Sequence, residues 1–153
     1  LELREVNSRR RDHAPRGGVG GRPQRALPDV PGLVDESRDA GTEVLLSAAV
    51  DEPAEAPPAA ARTAYRVIQE GLTNARKHAA GQLVRVDLRG GPGAGLQIDV
   101  RNTLGPQRTT ASAPSGGAGL VGLTERVNLA GGQLDHHCID GEFRLHASLP
   151  WPP

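Results

Sequence analysis

Between Pro58 and Ala80 the chain carries Ala64, Val67, Ile68, Gly71, Leu72, Ala75 and Ala79 at steps of three and four residues, and Gly81 follows. That spacing predicts one long helix with a single apolar face, stopped by the glycine. A one-sided helix must bury its stripe against a second layer, and the flanking sequence predicts a sheet. Thr42–Val50 is β-rich and ends at a proline and acid cluster. Leu83–Arg89 and Leu96–Arg101 alternate apolar with polar residues, the period of strands with one buried face, and Gly90–Gly95 reads as their hairpin connection. Gln133–Ile139 and Glu142–Leu149 are two more strands, joined across Asp140-Gly141, a strong hairpin signal.

Two shorter helices complete the pattern. Pro28–Gly41 reads as a helix capped around Asp29 and closed by Gly41, and Leu120–Leu129 as another, ended by Gly131-Gly132. The order helix, strand, helix, strand, strand, helix, strand, strand predicts an α/β two-layer sandwich, a mixed sheet covered on one face by helices. Residues 103–118, rich in Thr, Ser, Pro and Gly, have no period, and a loop of that length is expected to be a lid or disordered.

Composition excludes several classes. With 18 basic and 18 acidic residues, no net charge points to nucleic acid or a membrane surface. No apolar run approaches the ~20 residues of a membrane span. The single cysteine, Cys138, excludes an internal disulfide framework. Seven arginines fall within residues 1–26, an aperiodic Arg/Gly/Pro-rich stretch expected to be a solvated linker, with no interleaved aromatic residues to suggest nucleic-acid binding. The absence of Met, even at position 1, is expected of a fragment or a processed chain.

On the long helix, Glu70, Asn74, Lys77 and His78 share a stripe along the border of the apolar face. Asparagine offers an oxygen suited to a hard cation such as Mg²⁺. A carboxylate one turn earlier can orient or deprotonate a nucleophile, and Lys77 can neutralise phosphate oxygens. An ordinary exposed helix edge fits the same spacing. The run Ser115-Gly116-Gly117-Ala118-Gly119-Leu120 leads straight into a helix, where backbone N–H groups and the helix dipole favour an anion. It is neither a Walker loop nor a dinucleotide fingerprint. His136, His137, Cys138 and Asp140 invite a metal reading, but lack the spacing of a closed zinc site and are expected to be ordinary strand and turn positions. Trp151 reads as a packing end-piece.

At this point a resemblance enters. Residues 65–79, Tyr65-Arg66-Val67-Ile68-Gln69-Glu70-Gly71-Leu72-Thr73-Asn74-Ala75-Arg76-Lys77-His78-Ala79, resemble the asparagine box of bacterial sensor histidine kinases. Gly117-Ala118-Gly119-Leu120-Val121-Gly122-Leu123-Thr124-Glu125-Arg126-Val127 resembles the second glycine box of the subfamily that partners response regulators of the LuxR/NarL type. The likeness implies the Bergerat ATP-binding fold over residues 27–150, with 1–26 a linker or the remnant of an upstream dimerisation helix and 151–153 a tail. It implies ATP and Mg²⁺ as ligands, with Asn74 on the metal and Glu70 acting on an acceptor histidine. Lys77 and His78 would lie near the phosphates, and Gly117, Gly119 and Leu120 would grip them from the helix start.

The implied partners are an upstream dimerisation and histidine-phosphotransfer domain in a homodimeric parent, and a LuxR/NarL-type response regulator. The implied location is cytoplasmic, in a parent compatible with a membrane anchor. Two departures stand out. Asn102-Thr103-Leu104-Gly105-Pro106 occupies the place of an Asp-x-Gly-x-Gly box, so Asn102 stands for the adenine-reading aspartate. No acceptor histidine in the family's setting is present, so the piece is not expected to autophosphorylate. A degenerate nucleotide-binding or interaction module, and a serine kinase of the anti-sigma-factor type, remain alternatives.

Overall fold

A computed structural model describes residues 24–104 and 117–153; most of the Arg-rich segment and of the expected lid lies outside the described residues. After one 3-10 turn at Leu27–Asp29 come α1 (Val30–Asp39), β1 (Val44–Val50) and, past a second 3-10 turn at Pro53–Glu55, α2 (Pro58–His78). β2 (Val84–Gly91), β3 (Gly95–Thr103), α3 (Gly117–Leu129), β4 (Gln133–Ile139) and β5 (Glu142–Leu149) follow. Among the described residues, no helix is long and apolar enough to cross a membrane.

The sheet runs β1-β2-β3-β5-β4, with β1 and β2 parallel and every other pair antiparallel. The mixed sheet and the helical layer are as the pattern predicted. The boundaries differ for local reasons. Asp29 stands at the expected cap position directly before α1, but its carboxylate accepts the Ala26 N–H at 2.8 Å and so closes the 3-10 turn instead of bonding into α1. The Thr42 N–H donates to Ser37 O, closing the turn after α1 and delaying β1 to Val44. α3 starts at Gly117, three residues before the expected Leu120. The hairpin between β2 and β3 is tighter than the glycine run suggests, because Gly90 and Gly91 pair with Leu96 and Gly95. A side chain at Gly90 would collide with Gly95 O.

Period-two alternation sets the two faces of the sheet. Val84, Val86 and Leu88 of β2, Leu96, Ile98 and Val100 of β3, and Phe143, Leu145, Ala147 and Leu149 of β5 point inward and are buried. Onto them pack Ala64, Val67, Ile68, Leu72 and Ala75 of α2 and Leu120, Leu123 and Val127 of α3. Trp151 is buried in the same core, and its carbonyl accepts the Gly93 N–H at 2.9 Å. The outer face is polar. There Asp99, its side chain only 9% exposed, accepts from Arg144 Nε at 3.0 Å, with Arg101 Nε at 3.9 Å and His146 Nδ1 at 3.7 Å. The hydrogen bond to Asp99, and then its charge, push the Arg144 guanidinium above its ordinary pKa.

Gly71 sets how closely α2 approaches the sheet. A Cβ there would lie 2.7 Å from Val100 Cγ1, well inside van der Waals contact. Gly71→Ala therefore forces α2 away from β3, and overpacking of about 1–3 kcal/mol outweighs the ~1 kcal/mol that alanine returns in helix propensity. Urea unfolding should show a net loss in stability that shrinks when Val100→Ala opens the space. An equal loss in both backgrounds would mean that the contact does not set the spacing.

Candidate functional site

α2 links two adjacent parallel strands, so it runs antiparallel to β1 and β2 and in the same direction as β3. From the Gly71–Val100 crossing, Asn74 lies three residues along the helix and Asn102 two residues along the strand. At about 1.5 Å per helical and 3.3 Å per strand residue, both move toward the same end of the layer. The two asparagines singled out in the sequence thus lie at one end of the sandwich, and both are buried, Asn74 at 8% and Asn102 at 4% exposure.

Their surroundings differ. Asn102 sits on the inner face of β3, paired with Val84 and Phe143, and its Nδ2 donates to Thr103 O at 3.2 Å. The Asn74 side chain is hydrogen-bonded to no other described residue. A carboxamide offers one oxygen acceptor and two N–H donors to a ligand. That chemistry, a neutral oxygen donor held on a rigid helix, fits a hard cation.

Glu70 is half-buried one turn before Asn74 and faces α3. A Cβ added to Gly119 would lie 2.5 Å from Glu70 Oε2, so the glycine leaves room for the carboxylate against the first turn of α3. Glu70 and Gly119 share a cleft of about 220 Å³ with Arg66, Gln69, Gly122 and Arg126. Lys77 is exposed and His78 half-buried in the last turn of α2, where positive charge complements the helix dipole. Gly117 opens α3. The Leu120 side chain is buried in the core, which leaves its backbone N–H as the group a ligand could use.

Of the expected residues, the fold brings Glu70 and Gly119 into one cleft and sets Asn74 and Asn102 at one end of the layer. Sequence reasoning did not pick out Arg66, Gln69 and Arg126 as lining residues. Arg66, at i−4 from Glu70, was within reach of a helical-wheel argument, whereas Arg126 needs the packing of α3 beside α2. The stretch after β3 departs from a glycine box in structure as well as in sequence. Leu104 is buried in the core, and its N–H is taken by Gly141 O at 2.7 Å. His136 tilts against Phe143 with ring centroids 6.3 Å apart, and among the described residues no cluster of three metal-binding side chains forms. Burial pushes the Cys138 thiol above its ordinary pKa, toward the unreactive form.

The chain has the fold of histidine-kinase catalytic domains. Over 92 residues it is 38% identical to the signal transduction histidine-protein kinase/phosphatase UhpB of Salmonella typhimurium, a stretch covering 58% of this chain and 17% of that protein. Its fold is similar to that of the blue-light activated histidine kinase of Erythrobacter litoralis, with a TM-score of 0.57 at 16% identity over 78% of this chain and 40% of that one. The catalytic domain of the histidine kinase ThkA gives a TM-score of 0.55 at 12% identity, over 81% of this chain and 92% of that one. No protein-family profile matches the chain.

Proposed function

We propose that this chain is the ATP-binding catalytic domain of a two-component sensor kinase, transferring the γ-phosphoryl group of ATP to a histidine on a dimerisation domain. The observation that carries the reading is the pairing of Glu70 with Gly119 across one cleft, with the buried Asn74 one turn along the same helix. The likeness to UhpB supports it. The response regulator it serves is of the LuxR/NarL type and the working parent is a homodimer, both implied by the second glycine box. ATP as phosphoryl donor puts the domain on the cytoplasmic side of any membrane.

Mechanistically, phosphoryl transfer needs positioning and charge neutralisation more than covalent help. Asn74 would hold Mg²⁺, which when bound supplies charge neutralisation at the phosphates. Lys77 adds a point charge near the mouth of the site, and His78 lies beside it. The N–H groups opening α3, from Gly117 to Leu120, point their dipole toward bound anion, and Asn102 can pair with a purine edge through its Oδ1. Glu70 accepts the proton from one imidazole nitrogen as the other attacks the γ-phosphorus. The bond to the bridging oxygen then breaks and ADP leaves with the electron pair.

A second reading is favoured by one specific feature, the buried and hydrogen-bonded Leu104 where backbone would otherwise approach a nucleotide. It gives a module that binds nucleotide without efficient transfer. Calorimetric titration of ATP into the chain, with and without Mg²⁺, followed by addition of a histidine-bearing dimerisation domain, separates the two. Mg²⁺-dependent binding followed by phosphohistidine supports the kinase; binding without transfer supports the module. A folded chain that ignores ATP at millimolar concentration would sink both.

A further inference from the structure

Over the first half of α2 lies a cleft of about 430 Å³, bounded by residues 24–25, α1 and α3. Its lining carries four guanidinium groups, Arg25, Arg62, Arg66 and Arg126, and one carboxylate, Glu36. Arg62 and Arg66 are one turn apart on the solvent face of α2 and Arg126 comes from α3, so three separate segments converge their charge on one concavity. Among the described residues, the ion pairs involve Arg38, Arg101, Arg144 and His146, and none of the four cleft arginines. Four guanidinium groups against one carboxylate leave the concavity strongly positive, and an anion bound there relieves their mutual repulsion. The cleft adjoins the one around Glu70, since Arg66, Gln69 and Arg126 line both.

We infer that this arginine cleft docks an acidic polypeptide segment of the partner that presents its acceptor to Glu70. The inference rests on the kinase reading for the partner's identity, but its binding chemistry stands separately. Guanidinium forks match carboxylates in pairs, and a concave site between helices suits projecting side chains. Residues 1–23, with six arginines against three carboxylates, are themselves basic and do not supply an acidic occupant. Nucleic acid fits less well. Single strands bind by stacking on aromatic faces, and the chain's only Tyr, Phe and Trp, Tyr65, Phe143 and Trp151, are all buried.

The test uses the full 153-residue chain and a fluorescent dodecamer of glutamate, with a dodecamer of thymidylate as the competing class. Anisotropy should show saturable binding of the peptide that weakens about tenfold or more in Arg62→Glu/Arg126→Glu. The neutral pair Arg62→Gln/Arg126→Gln should weaken it by less. Arg85→Glu/Arg89→Glu makes the same charge change on the exposed outer face of β2, with the basic segment 1–26 still present, and should leave it within about twofold. Circular dichroism and ATP titration of each variant report the fold and the nucleotide site. Equal loss in the β2 variant, no binding by folded wild type, or cleft-dependent binding of the oligonucleotide alone would overturn the inference. Cleft-dependent peptide binding by a chain that ignores ATP would uphold the docking surface while the kinase reading falls. Normal ATP binding without cleft-dependent peptide binding would do the reverse.

Discussion

Asn74→Ala weakens Mg²⁺-dependent ATP binding by about 10–100-fold or more and leaves the fold intact. The side chain is 8% exposed and no other described residue takes its amide, so removing it breaks no described hydrogen bond. Alanine is also the better helix former by several tenths of a kcal/mol, so α2 should not weaken. What disappears is a neutral oxygen donor, held by a rigid helix, for a cation that must bridge to phosphate. Losing even an outer-shell partner of a metal commonly costs 10–100-fold in affinity, and a direct ligand should cost at least about that. Two measurements check it. Calorimetry should show the wild-type dissociation constant rising by about 10–100-fold or more in the variant, and EDTA should weaken wild type while barely changing the variant. In thermal unfolding, ATP at about a hundred times the wild-type dissociation constant should stabilise wild type by ~2.7 kcal/mol and the variant by no more than about 0.4–1.4 kcal/mol. Unchanged binding would place the metal ligand elsewhere and remove the main reason for reading the stripe as a site.

Periodicity made the layers legible. The face from Ala64 to Ala79 and the alternation in β2, β3 and β5 are consequences of side-chain direction, which depends only on local geometry. The Asp140-Gly141 hairpin was equally plain, and both residues adopt positive φ, 53° and 73°. Sheet order was not legible in the same way. β5 lies inside and β4 at the edge because Phe143, Leu145, Ala147 and Leu149 are all buried while β4 stays largely exposed. That choice is settled by which of the two strands has the more apolar face to offer the one covered place. At the site, helical spacing put Asn74 on the border of the apolar face, and the packing of neighbouring elements then buried it. The meeting of Glu70 with Gly119 joins residues far apart in the chain, so no local rule could show it. The resemblance singled out both residues, and the fold brings them together. The arginine cleft was the least legible feature, because its charges come from three segments whose separate sequences look like ordinary solvated faces.

Glu70→Gln lowers phosphoryl transfer to a supplied acceptor domain by about 10²–10⁴-fold, the range of a lost general base, while ATP binding stays within about threefold. Glutamine keeps the shape of the side chain and one oxygen acceptor, so it can still orient an imidazole but cannot take its proton. The size of the effect therefore separates the two roles. A loss below about tenfold assigns Glu70 to orientation, and a loss in the full range assigns it to proton transfer. Gly119→Ala probes the same contact from the other side. Its Cβ would stand 2.5 Å from Glu70 Oε2, and the flexible end of the side chain can swing away. Stability should then change by less than about 1 kcal/mol, because the propensity gained from replacing glycine offsets the displacement. Transfer should nonetheless fall, since a shift of about 1 Å in a positioned group can cost about 10²-fold. Rapid-quench measurement of phosphohistidine formation at saturating ATP reads both variants on one scale. If Gly119→Ala transfers at the wild-type rate while Glu70→Gln does not, the carboxylate works from another rotamer, and the packing against α3 is structural alone.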